Sequence, residues 1–108
     1  MKLIYDCHTH TNYSHGKNTA REMIDRAHEI GLCGIHITEL GYMHYHSKKH
    51  RTTAETHLRL RDEVEKCKSI YPAMDIRFGV EANVINLDGE IDVPQSFDGV
   101  YDFINVGY

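Results

Sequence analysis

The sequence predicts an α/β domain with parallel strands, and two features of its patterning lead there. Short apolar runs of strand length recur at residues 2–7, 34–38, 75–81 and 101–106, and segments with helical apolar spacing separate the first three. Strands joined through a helix pair in parallel, because the crossover returns the chain to the same end of the sheet. The order strand, helix, strand, helix, strand, small hairpin, strand is that of an α/β protein. It fits the first half of a (β/α) barrel. A complete barrel runs to about 250 residues, and this chain has 108.

Each element has its own signal. Residues 2–7 form an apolar run of strand length, and loop chemistry follows through Asn18. Thr19 and Glu22 stand at capping-box spacing, Ala20, Met23, Ile24, Ala27 and Ile30 then recur at helical intervals, and Gly31 sits where a helix would close. In the second strand Ile35 and Ile37 share one side. After a polar loop over residues 41–51, Thr52 and Glu55 give a second capping-box signal. Leu60, Val64, Cys67 and Tyr71 mark one face of a long helix, and Pro72 stops it. Residues 75–81 read as the third strand. Asp88-Gly89, flanked by Ile85, Leu87, Ile91 and Val93, is a strong hairpin signal. Residues 101–106 supply the fourth parallel strand.

Composition narrows the function classes. An apolar fraction of 41% supports a modest core and excludes a disordered chain. No apolar run approaches the ~18–20 residues of a membrane span, and the N-terminus lacks the shape of a signal peptide. The 3 cysteines, Cys7, Cys33 and Cys67, are odd in number and form no CxxC pair. That pattern suits a reducing compartment. The expectation is a cytoplasmic protein without a membrane partner. A net charge of -4 gives no global case for nucleic acid. The unusual figure is 9 histidines.

Functional side chains of parallel α/β folds gather at the C-terminal ends of the strands. His8 and His10 follow the first strand, Thr38 and Glu39 end the second, and Glu81 ends the third. A strand-end His-x-His presents both imidazoles to one side. With a carboxylate, they suit zinc, manganese or iron. Glu81 has two oxygens and can bridge two ions. His15, in a loop with Asn12, Ser14 and Gly16, can fold back as a third imidazole. Asp6 and Glu39 are candidates to orient imidazole N–H groups. Lys17, Lys48, Lys49 and Arg51 are candidate phosphate ligands. His44, His46 and His50 share a loop with three of those cations. They form either a solvated basic loop or, as function, a flexible phosphate-gripping lid or a source of substitute ligands. His28 and His57 within helices and His36 within a strand read as structural or solvent-facing, and Cys7 reads as a buried strand cysteine, with a soft ligand beside His8 as the alternative.

"DCHTHTNYSHG" at residues 6–16 resembles the first motif of the PHP (polymerase and histidinol phosphatase) superfamily. "AHEIGLCGIHITE" at 27–39 resembles its second motif, and "FGVEANVINLDGEID" at 78–92 its third. The last is similar to the small bacterial phosphatases and histidinol-phosphatase-like members. The resemblance implies the N-terminal half of a distorted (β/α)₇ TIM-like barrel, with motifs one to three in a single partial domain. It implies a site of two or three divalent ions, zinc foremost, that hydrolyses a small phosphorylated substrate. By similarity His8 and His10 hold one ion, Glu81 bridges to a second, and His15 belongs to a third. Two departures stand out. Leu40 occupies the position where the family has a metal-binding histidine, so that ion is lost, weakened or rescued by His44 or His46. The later motifs are missing, so the expected alternative is a truncated chain acting as a metal-binding or interaction module. An open half-barrel would then self-associate. A metal amidohydrolase also begins with His-x-His, but the Gly79-Val80-Glu81 context speaks against it. A polymerase-associated proofreading role is disfavoured by the acidic balance and the lack of appended domains.

Overall fold

The computed structural model describes residues 1–42 and 52–107. Its strands are β1 (Tyr5–Thr9), β2 (Gly34–Leu40), β3 (Asp75–Asn83) and β4 (Phe103–Gly107), and its helices are α1 (Ala20–Glu29) and α2 (Ala54–Ile70). All neighbouring strands are parallel, in the spatial order β1-β2-β3-β4. A doubly wound sheet would reverse its order at a switch point. Here spatial order follows chain order, and α1 and α2 pack together on one face. This is barrel winding, and the four strands form a half-barrel.

The helix face of the sheet is the core. Ile35 and Ile37 of β2 and Ile76, Phe78, Val80 and Ala82 of β3 meet Ala20, Ile24 and Ala27 of α1 and Leu60, Val64 and Cys67 of α2. The apolar core side chains alternate along β2 and β3 and recur at i, i+3/i+4 in the helices, the two periods the sequence displays. The opposite face carries a row of rings. His36 lies 6.4 Å from the Tyr5 ring and 5.0 Å from the Phe103 ring. A Cβ at Gly34 would strike the Tyr5 ring and one at Gly79 the Phe103 ring, so both glycines make room for aromatic cover.

The helix ends follow local chemistry. Thr19 and Glu22 form the expected capping box on α1. Gly31, at φ 83°, closes the helix with its N–H on His28 O and the Leu32 N–H on Ala27 O, a Schellman arrangement. For α2 the cap is Thr53 with Thr56, one residue beyond the expected Thr52 and Glu55 pair. Thr52 is already engaged: its buried hydroxyl donates to the Leu40 carbonyl at 2.7 Å.

The Asp88-Gly89 hairpin is reduced to a single antiparallel bridge between Val84 and Ile91. Asn86 Oδ1 accepts the N–H groups of Asp88 and Glu90 at 3.0 and 3.1 Å. Gly89 alone in this turn has positive φ, at 84°, whereas a two-residue type I′ hairpin needs two such residues. Asp92 ties the excursion back to β3, accepting the Asn83 N–H and the Asn83 side-chain amide, each at 2.8 Å. Among the described residues no helix is long and apolar enough to cross a membrane.

Candidate metal centre

β1 reaches the site through an irregularity. Tyr5 and Asp6 pair with Gly34 and Ile35, but the next partners are Thr9 and Ile37. One extra residue therefore enters β1 at the stretch that carries His8, and such a bulge re-aims the side chains around it. β3 arrives regularly, with Glu81 opposite Leu40 at the end of the ladder.

Three ligand atoms converge there. His8 Nε2 is 3.1 Å from His10 Nε2 and 3.0 Å from Glu81 Oε2, and His10 Nε2 is 3.2 Å from the same oxygen. Protons alone do not account for this triangle. Two neutral rings bring at most two protons to three contacts, and an Nε2–H on both rings would set two protons face to face. A divalent cation held between the three atoms would fit it. Ligand atoms at ~2.0–2.1 Å from a tetrahedral zinc are about 3.3 Å from one another, close to the edges observed. The side chains of His8 and Glu81 are 52% and 31% exposed while that of His10 is 13% exposed. The triangle is thus anchored on one side and open to solvent on the other, so an ion held by these two nitrogens and one carboxylate oxygen would keep a solvent-facing position. Among the described residues these three form the group able to hold a metal ion.

Behind His10 lies Glu39, fully buried at the end of β2. Its carboxylate accepts the Thr11 hydroxyl at 2.5 Å, the Thr11 N–H at 3.3 Å, the Leu40 N–H at 2.9 Å and the Ser14 hydroxyl. Burial alone would push the Glu39 carboxyl up. The His10 ring beside it and these donors outweigh burial and hold it below the usual glutamate range. His10 Nδ1 is buried without a hydrogen-bond partner, and Glu39 Oε1, 3.7 Å away, is an ion-pair neighbour of it.

The other expected residues fall as follows. The His15 ring lies 4.2 Å from the His10 ring, outside the converging triangle. Asp6 accepts the His8 main-chain N–H at 3.3 Å, so its contact is with the His8 backbone. Cys7 is exposed, not buried as a strand cysteine would be, because the sheet ends at β1 and the irregularity there turns the strand. Lys17 is exposed in the same loop. His44, His46, His50, Lys48, Lys49 and Arg51 lie outside the described residues. Leu40 is buried at 4% exposure, and its carbonyl accepts from the Thr52 hydroxyl and from His57 Nε2 at 2.9 Å. His57 is fully buried and structural, His36 belongs to the ring row, and His28 stacks on Tyr71 at 4.4 Å. Sequence reasoning missed Thr11 and Ser14 as partners of Glu39. The signal available was a threonine and a serine flanking the ligands next to a carboxylate at a neighbouring strand end.

The chain is similar to known proteins. The model of the PHP domain matches residues 6–104. A probable phosphatase of Clostridium acetobutylicum is 29% identical over 106 residues, covering 96% of this chain and 40% of the relative. A probable phosphatase of Acetivibrio thermocellus is 30% identical over 112 residues, with 96% and 40% covered. One of Aeromonas hydrophila is 28% identical over 109 residues, with 100% and 41% covered. The chain thus spans about two fifths of the length of these curated relatives. A family match running from the first histidine motif into the last strand, over a half-barrel with a converging His-His-Glu group at its C-terminal rim, places this chain in the PHP domain family.

Proposed function

We propose that the chain forms part of a metal-dependent phosphoesterase in which His8, His10 and Glu81 hold a divalent ion. The observation that carries this reading is the convergence of the two Nε2 atoms and Glu81 Oε2 within 3.2 Å of one another. When bound, such an ion supplies Lewis acidity toward a phosphate oxygen and lowers the pKa of a water toward ~7. The chain's own groups do the rest. His8 and His10 present lone pairs from Nε2, Glu81 contributes the negative charge that favours a dication, and the solvent-facing side of the triangle admits the substrate. Lys17 is the described cation in the site loop that we assign to phosphate contact, with Lys48, Lys49 and Arg51 as the further candidates. Zinc is the leading ion, with manganese and iron as alternatives, and Glu81 is the residue proposed to bridge to a second ion. A small phosphomonoester of histidinol-phosphate type is the proposed substrate, on the motif resemblance and on the probable phosphatases among the relatives.

A second reading has its own observation. Leu40 buries a side chain at the position where the resemblance implies a ligand. Under that reading it is a metal-binding module without turnover, and the exposed Ile104 and Val106 of β4 are its candidate association surface. Hydrolysis of p-nitrophenyl phosphate, assayed with added zinc or manganese, separates the two. The phosphoesterase reading expects metal-dependent turnover that disappears in the His8→Ala/His10→Ala double variant. Turnover unchanged in that variant would refute it, and metal binding with no turnover would favour the module.

A further inference from the structure

We infer that Glu39 is a positioning residue for the metal centre: its buried carboxylate folds the loop after β1 and fixes which nitrogen of His10 faces the ion. This rests on reading the triangle as a metal centre and not on the phosphoesterase reading. The first support is the cost of the group's location. A carboxylate at 0% exposure is expensive unless its lone pairs are met by donors. Glu39 meets four donors, and three of them, the Thr11 N–H, the Thr11 hydroxyl and the Ser14 hydroxyl, belong to the loop that leaves His10. The fourth is the N–H of Leu40 on its own strand. The carboxylate is the hub on which that loop closes.

The second support is the loop itself. Its backbone turns tightly around Thr11, whose carbonyl accepts the Ser14 and Gly16 N–H groups at 3.1 and 2.9 Å. A Cβ at Gly16 would collide with the carbonyl oxygens of His10 and Thr11. The hub therefore fixes the backbone immediately after His10, within a loop that allows little adjustment.

The third support is the orphaned atom. His10 Nδ1 is buried, has no hydrogen-bond partner, and has Glu39 Oε1 as its ion-pair neighbour at 3.7 Å. In a neutral imidazole one nitrogen carries the proton and the other the lone pair. The field of a buried anion on the Nδ1 side favours the proton there, which leaves the Nε2 lone pair aimed at His8 and Glu81. A carboxylate behind a ligating histidine acts in this way in metal sites generally. Glu39 and His10 come from different strands, so the contact also ties the rim of β2 to the end of β1.

Glu39→Gln tests the inference. The variant keeps the size of the side chain but replaces one acceptor oxygen with an NH₂ that points at donors. Zinc affinity, measured by competition with a chromophoric chelator, is expected to fall by about 10–100-fold with the stoichiometry unchanged. The second readout needs no variant. Long-range ¹H–¹⁵N NMR of the metal-free wild-type chain at pH 8 should show His10 as the Nδ1–H tautomer. A folded Glu39→Gln chain that binds zinc within twofold of wild type would overturn the inference, and so would a wild-type His10 found as the Nε2–H tautomer. Should Glu39→Gln fail to fold, the wild-type tautomer decides alone. A purely structural role for Glu39 would change the melting temperature without selecting a tautomer. Neither readout depends on turnover, so loss of the phosphoesterase reading would leave this test intact.

Discussion

His8 and Glu81 stand 73 positions apart in the chain and 3.0 Å apart in space. Removing any one of the three converging groups leaves two ligands, which hold zinc weakly. Glu81→Gln is expected to weaken zinc binding by more than about 100-fold, since losing even a supporting carboxylate costs 10–100-fold. Isothermal titration with zinc checks this. Gly16→Ala tests the loop behind His10. Its Cβ meets two carbonyl oxygens of the same turn, and overpacking of this kind costs about 1–3 kcal/mol, readable as a lower urea midpoint. At this scale the sequence was legible where one residue type announces its chemistry, as in His8, His10 and Glu81. It was not legible where a role depends on contact between strands. No spacing rule joins Ser14 and Thr11 to Glu39, and nothing in the pattern around Asp6 distinguishes a bond to a ring from the bond to the His8 backbone that it makes.

The elements are set by caps and by one buried imidazole. Thr19→Ala removes the side-chain acceptor for the Glu22 N–H and is expected to cost about 1 kcal/mol, visible as a lower melting temperature. His57 joins three elements. Its Nε2–H donates to the Leu40 carbonyl at the end of β2, and its Nδ1 accepts the Tyr101 hydroxyl just before β4 at 2.5 Å. Burial, opposed by the Leu40 carbonyl and by nearby acidic groups, holds its pKa below the ordinary histidine value. The folded state therefore favours the neutral ring. Its contribution is full above the unfolded value of ~6.5 and declines as pH falls from there through the depressed folded value. Urea midpoints at pH 8 and pH 5 should differ more for wild type than for His57→Gln, and an equal difference would contradict this account. The capping box of α1, the face of α2 and the Gly31 stop were readable because they are local. The start of α2 and the hairpin were not. Thr52 is drawn to Leu40 and Asn86 takes two turn amides, and both are competitions that a propensity cannot rank.

For the whole molecule, order and direction of the strands follow from helix-length connections, which is why the half-barrel could be anticipated. The bulge in β1 could not, because nothing in the residues from Asp6 to Thr9 marks a register irregularity. That irregularity carries His8 and directly precedes His10, so an ion held by the converging triangle should stabilise the end of β1 against the rest of the sheet. An ion that binds only the folded chain adds ~2.7 kcal/mol at one hundred times its dissociation constant. Zinc should therefore raise the melting temperature of the wild type, EDTA should reverse the rise, and the His8→Ala/His10→Ala chain should show neither effect. The test closest to the central claim is a zinc titration of the purified chain beside its Glu81→Gln and His8→Ala/His10→Ala variants, with bound metal counted directly after gel filtration. The account predicts bound zinc in the wild type and almost none in either variant. Equal zinc in all three, or none in the wild type, would contradict it.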